Sequence, residues 1–519
     1  MTKGDFMKKL IIIAVIMSLL SGCSFFTIAP EIVGLIPLDS RPCNTQYPEI
    51  LGKMGNMQLD IPYAYLDNFL EPAQTKNLWS WLEASGKGFN RIIINTTELF
   101  NGGLIASRDP QSYQDLVAQI ARLKSFCEKN KNKDITVITV LPRLLPSQFT
   151  QLWPYNEEIA EYAQNIDIAD REGKKAPEPP QSIPKDMLNE YLGIYENTQL
   201  LVESLISFAN EGLIDHYLIG QDDAEEYGLS NKIVRELTPK LNDKVQFVHG
   251  ADELTMLVLA RVLPLKENLS LKVEYSNRDL KEAYFPFEAA SLENVVKTKL
   301  NYLNIMEATD SDKRVIIHND AARLASLRDL IQESASPYLG LMDIAHTNKG
   351  DINLLDFLLN NDTFPKVTGY AGWNTAGNTI GTELSHAVYY QYLADSFKKY
   401  KKPAQAEALQ AYLEFKFIRI AEDLVYQGIL REELNERLKT LNIDPHNIGE
   451  RHAEANGILA ELYAPYDEKL AKAFIGQQFK IGEISFTVEK ISSKMELPWS
   501  RTFEAKVSPE AVIVLLGED

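Results

Sequence analysis

Two pairs of adjacent carboxylates, Asp222-Asp223 and Asp252-Glu253, stand just after short apolar runs. Neighbouring side chains at a strand end point in different directions, so one carboxyl can be buried and keep its proton while the other stays ionised. A general acid working beside a second carboxylate needs that division, and it makes Asp222, Asp223 and Asp252 the candidate catalytic residues. The plainer role for either pair is to cap the following helix, most directly for Asp252-Glu253, which opens the apolar run 254–260. Asp39 and Arg41 follow the first apolar run and can form an internal salt bridge or hold a carboxylate or hydroxyl-rich ligand. Asn101, Glu253 and Asp343 stand at comparable positions, as do Glu98 and Arg143. The segment 372–381 combines glycines, the amides of Asn374 and Asn378 and the ring of Trp373. Such a set suits a sugar ring with its CH faces and ordered hydroxyls, although a glycine-rich turn before a helix uses the same residues.

Other chemistries lack their residues. Cys43 has no histidine base near it in sequence and reads as a small buried residue. The seven histidines show neither HExxH nor Cys/His spacing, so no metal is expected. Neither a phosphate loop nor a dinucleotide fingerprint follows the first apolar run, so no cofactor is expected either. With 53 Lys+Arg against 72 Asp+Glu, the 519-residue chain has a net charge of −19 and lacks the attraction for phosphate on which nucleic-acid binding depends. Three cysteines make no disulfide framework. One of them has another use: Lys8-Lys9, the apolar run 10–20 and Leu20-Ser21-Gly22-Cys23 have the order of a bacterial lipoprotein signal, in which Cys23 is lipidated and becomes the new N-terminus. The expected location is the extracytoplasmic face of a bacterial membrane, with acyl chains as anchor.

The elements that must position these residues follow one pattern from residue 32 onward: a short aliphatic run, a polar or glycine-rich ending, then a helical stretch. That alternation predicts βα units and a parallel sheet. The expected strands are 32–38, 91–95, 135–141, 216–220, 245–248, 271–275, 314–317, 338–342 and 367–372, one more than a (β/α)8 TIM barrel needs. The proline-containing stretch 164–185 reads as a surface excursion. The expected organisation is a signal peptide at 1–22, an α/β barrel-like domain at 23–382, a helical region at 383–475 and a small β unit at 476–519. In a barrel or open α/β sheet the chemistry gathers beyond the C-terminal ends of the strands, which is where the polar residues above fall.

Six pieces carry a resemblance to a bacterial family known as domain of unknown function 4127. They are Ile-Pro-Leu-Asp-Ser-Arg-Pro-Cys-Asn at 36–44, Gly-Gly-Leu-Ile-Ala-Ser-Arg at 102–108, Gln-Asp-Asp-Ala-Glu-Glu-Tyr-Gly-Leu at 221–229, Gly-Ala-Asp-Glu at 250–253, Gly-Trp-Asn-Thr-Ala-Gly-Asn-Thr at 372–379 and Leu-Pro-Trp-Ser-Arg-Thr-Phe-Glu at 497–504. The resemblance spans nearly the whole mature chain and implies one shared architecture without an activity; Gln221 and Glu225-Glu226 depart from the pattern expected there. The order Asp222-Asp223, Trp373-Asn374 and a following helical region also resembles bacterial β-N-acetylhexosaminidases of the O-GlcNAcase and hyaluronidase-like type. That resemblance implies a TIM barrel in which the substrate's acetamido group attacks the anomeric carbon, Asp222 orients it and Asp223 protonates the leaving oxygen. The expectation is a lipoprotein glycoside hydrolase acting on carbohydrate or cell-wall glycan. The alternative is a noncatalytic envelope lipoprotein that binds solute or glycan with the same residues.

Overall fold

The computed structural model describes residues 28–516 except 361 and 362, so the signal segment and Cys23 lie outside the described residues. Six strands, β1 (Glu31–Ile36), β2 (Met57–Asp60), β3 (Arg91–Asn95), β4 (Asp134–Leu141), β5 (His216–Gln221) and β6 (Val245–His249), form a parallel sheet in the order β2-β1-β3-β4-β5-β6. Five more, β7 (Ser270–Tyr275), β8 (Met306–Glu307), β9 (Arg314–His318), β10 (Leu339–Asp343) and β11 (Gly369–Ala371), form a second parallel sheet in the order β8-β7-β9-β10-β11. An antiparallel sheet of β12 (Gln478–Ile481), β13 (Ile484–Glu496) and β14 (Lys506–Leu516) ends the chain.

The α/β class and the C-terminal β unit are thus present, but among the described residues the strands do not close into the expected (β/α)8 ring. Each of the nine expected runs contains a strand. They are legible because a parallel strand covered on both faces is aliphatic throughout, as in β3, where Ile92, Ile93 and Ile94 are fully buried. The two strands that the pattern misses, β2 and β8, are edge strands with exposed residues, and β8 has only two. These two pair on one side only and bury too little to need an apolar run, unlike the edge strand β11, which is buried throughout. Adding these two strands turns one run of nine into two sheets with the same order, in which the chain starts inside, steps out to an edge and returns past its first strand. Each sheet therefore has its own switch point, between β1 and β3 in the first and between β7 and β9 in the second, and doubly wound sheets bind ligands there.

The two mouths differ. The second is filled by the protein's own side chains. The buried helical segment Ile420–Leu430 presents Asp423, whose carboxylate accepts from the Gly372 N–H at 2.7 Å and pairs with Arg419 at 3.0 Å. Asp343 there accepts from the Tyr370 hydroxyl at 2.9 Å and the Asp351 N–H at 2.6 Å. The expected helical region does not start at 383, because the helix Ala376–Ser396 runs through that position and is buried along most of its length. The expected excursion 164–185 is shorter than predicted, since helix Asn156–Arg171 occupies its first part. No described helix is long and apolar enough to cross a membrane.

Candidate functional site

The first mouth opens into a cavity of about 340 Å³ at the C-terminal ends of β1, β3, β4, β5 and β6. Its floor is built from the loop after β1. Arg41 directs Nε and Nη2 at Asp39 Oδ2, at 2.9 and 2.7 Å, and Nη2 also lies 2.5 Å from Asp252 Oδ1. Asn44 Nδ2 donates to Asp39 at 2.9 Å, and Asn374 Nδ2 donates to Asp252 Oδ2 at 2.6 Å. Asn374 adopts a positive φ of 67°, a conformation that asparagine tolerates better than most residues, and that turn aims its amide at Asp252. Burial, together with the charge of Asp39, pushes the Asp252 carboxyl up to about 7 against the pull of Arg41. Cys43 is buried beside them. Burial and then Asp252 push its thiol up, away from the thiolate form that a nucleophile needs.

Beneath the floor lies a second acidic group. Asp67 accepts from the Ser40 N–H at 2.7 Å, and the Asp67 N–H donates to Glu98 at 3.0 Å. Glu98 sits in the π-helical turn Thr97–Asn101 that follows β3. Gly103 closes this turn at φ 114°, and a Cβ there would lie 2.6 Å from Asp67 Oδ2 and 3.0 Å from Glu98 Oε2, so only glycine fits. Burial, reinforced by the Asp39 charge, pushes Asp67 up to about 8, and burial with the Asp67 charge pushes Glu98 up as well.

Asp222 and Asp223 line the cavity from the end of β5. The Leu144 N–H donates to the Asp223 carbonyl at 3.1 Å, which sets Asp223 against the loop after β4 and its Arg143. That loop is held in turn by Tyr195 and Tyr191, whose hydroxyls donate to the carbonyls of Arg143 and Leu144 at 2.7 and 2.8 Å. Arg143 stands 3.3 Å from Asp223, and Arg108 3.6 Å from Asp222. The Asp223 side chain is 27% exposed. Its partial burial and the adjacent Asp222 charge push it up to about 6, while Arg143 and Arg108 hold it back.

Of the residues expected from sequence, Arg41, Asp222, Asp223, Asp252 and Asn374 come together on this cavity, with Asp39 directly behind Arg41. Asn101 borders a smaller side pocket that shares Arg108, Arg143 and Asp222 with it. Asn378 lies behind the wall, where its Oδ1 accepts from the N–H groups of Ala251 and Asp252, both at 3.1 Å, so it positions Asp252 instead of meeting a ligand. Three expectations fall elsewhere. Glu253 is fully buried and ion-paired to Lys299, Asp343 belongs to the filled second mouth, and Trp373 packs in the core. Their strand-end positions are as expected, but a period-2 strand end turns one neighbour inward for each that it turns outward.

The sequence reading missed Asp67, Arg108, Arg431, Arg501 and Trp499, and it placed Arg143 only at a strand end. Arg108, Arg143, Arg431 and Arg501 all line the cavity with Arg41, and so does Trp499. Trp499 Nε1 donates to Ser40 Oγ at 2.9 Å, and the Arg501 guanidinium lies 4.7 Å from the Trp499 ring. Arg143 directly follows a strand, and Arg108 and Arg501 lie in the 102–108 and 497–504 pieces, so these carried a signal. Asp67 and Arg431 carried none. Among the described residues no group of three or more His, Cys, Asp or Glu is placed to hold a metal.

No curated protein matches the chain. A family model described as a protein of unknown function, DUF4127, matches residues 33–508, which takes in every element that builds the cavity. The chain therefore belongs to the DUF4127 family.

Proposed function

We propose that this protein is a lipid-anchored extracytoplasmic enzyme that cleaves a glycosidic bond in the first mouth, with Asp223 as the proton donor. One observation carries the reading: a partly exposed carboxyl in a ligand-sized cavity, pushed up to about 6, beside a second carboxylate at Asp222. Such a group holds a proton near neutral pH and can pass it to a leaving oxygen. Asp222 then orients a substrate acetamido group or acts directly as the nucleophile. Trp499 borders the cavity but is 2% exposed and packed against Arg41 and Arg501, so it holds the arginines in place and offers no open face to a sugar. The membrane address rests on the sequence around Cys23.

The test is turnover of aryl N-acetylhexosaminides and unsubstituted aryl glycosides by Asp222→Asn and Asp223→Asn. Loss confined to the N-acetyl substrates supports acetamido participation, and loss on both supports a carboxylate nucleophile. If neither substitution lowers glycosidase activity, the reading fails.

A second reading, capture without cleavage, has one observation in its favour. Each cavity aspartate faces an arginine, Arg41 for Asp252, Arg108 for Asp222 and Arg143 for Asp223, as in a site built for polar recognition. It predicts that a bound glycan is recovered chemically unchanged.

A further inference from the structure

Arg108 and Arg143 reach the cavity from different elements, the turn after Gly103 and the loop after β4, and both also border the side pocket of about 70 Å³. Their guanidiniums differ from those of Arg41 and Arg501. Arg41 is clasped by Asp39 and Asp252, and Arg501 Nε donates to both oxygens of Glu504 at 3.1 Å. Arg108 and Arg143 instead stand off from Asp222 and Asp223 at 3.6 and 3.3 Å, and Nε of each is buried with no hydrogen-bond partner. A guanidinium carries five N–H donors, and leaving buried donors unused is costly. Placing two such groups together adds repulsion: burial and the Arg143 charge pull Arg108 down to about 10. A chain with a net charge of −19 gathers these cations in one place all the same.

We infer that the ligand of this cavity is an anionic sugar, one that carries a carboxylate or a phosphate, and that Arg108 and Arg143 clasp the anionic group between them; the inference rests on the reading of the cavity as a carbohydrate site. Planar guanidinium forks match both oxyanions in bidentate fashion. Arg431 adds a further cation to the lining, with neutral Gln427 as its hydrogen-bond acceptor at 3.1 Å. An anion between Arg108 and Arg143 also competes for the guanidinium that holds Asp223 down. The charged substrate thereby shifts the acid toward its protonated form.

The test is calorimetric titration of the full chain with glucuronate and glucose 6-phosphate against glucose, none of which carries a glycosidic bond to cleave. The charged sugars should bind at least about tenfold more tightly, and Arg108→Gln or Arg143→Gln should remove about ten- to a hundredfold of that affinity while leaving glucose unchanged. Should the arginine variants fail to fold, raising the salt concentration about tenfold must weaken binding of the charged sugars and leave glucose unchanged in the parent protein, and an unmoved preference overturns the inference. The two charged sugars distinguish carboxylate from phosphate. Equal affinity for charged and neutral sugars overturns the inference and leaves the glycosidase reading standing. Binding of inorganic phosphate with no binding of any sugar overturns the carbohydrate reading and leaves the anion site standing.

Discussion

Asp223 and Asp222 are neighbours in the chain with different surroundings, and the difference is what chemistry at this site would use. Burial and the Asp222 charge set Asp223 at about 6. A proton donor with that value works below about pH 6 and loses about tenfold in rate for each unit above it. The kcat/KM profile should therefore have a descending limb near pH 6. Because Asp222 raises Asp223, Asp222→Asn should move the limb to lower pH in any residual activity, and an unmoved limb would show that another group donates the proton. Much at this scale was legible. Asp222, Asp223, Asp252, Arg41 and Asn374 are polar residues that directly follow apolar runs, and they do meet. Asp67 was not legible, because the strand before it, β2, has no apolar run to announce it and its role depends on Ser40 and Glu98, far away in sequence.

At the scale of elements, the cavity wall depends on one helix start. The first turn of Ala376–Ser396 carries Asn378, which accepts from two N–H groups of the loop after β6. Asn378→Ala leaves both buried donors unpaired, at a cost of about 1–3 kcal/mol. Asn378→Asp keeps the acceptor and should retain most of the stability. Urea denaturation compares the three, and equal midpoints for Asn378→Ala and the parent would mean that the contact positions nothing. Nine parallel strands were legible from their aliphatic runs, whereas β2 and β8 were not, since these short edge strands leave most of their residues partly or fully exposed. Omitting β2 and β8 suggested one ring; including them gives two open sheets, each with its own switch point.

At the scale of the whole molecule, the buried acids tie stability to pH. Burial pushes Asp67 up to about 8 and Asp252 and Glu288 up to about 7, and raises Glu98 and Asp423 as well. Each binds its proton more tightly in the folded state than in the unfolded chain, where carboxyls titrate near 4. The contribution of Asp67, Asp252 and Glu288 is complete below about pH 4 and is lost as pH rises through about 7 to 8, at about 1.4 kcal/mol per pH unit for each extra proton held, and Glu98 and Asp423 act in the same direction. Groups that burial pulls down act in the opposite sense, among them His216, His249 and Lys416. Burial lowers His249 to about 4 and Lys416 to about 7, so His249 favours higher pH between about 4 and 6.5, and Lys416 does so above 7. Between about pH 5 and 7 the carboxyls outnumber them, and Tm should fall across that range. A Tm that rises over the same interval would mean that these acids are ionised in the folded protein.

The sequence by itself determined the α/β class, nine of the eleven parallel strands, the acidic balance and the polar strand ends, because each follows from a local or compositional requirement that a segment meets by itself. Tertiary structure alone decided that the strands form two sheets, that one mouth is filled by Ile420–Leu430 while the other stays open, and that Trp499 and Arg501 complete a site founded on Ser40 and Arg41. Those outcomes depend on contacts between residues hundreds of positions apart, and no local pattern of side chains encodes which distant segment will arrive to cover a given strand end.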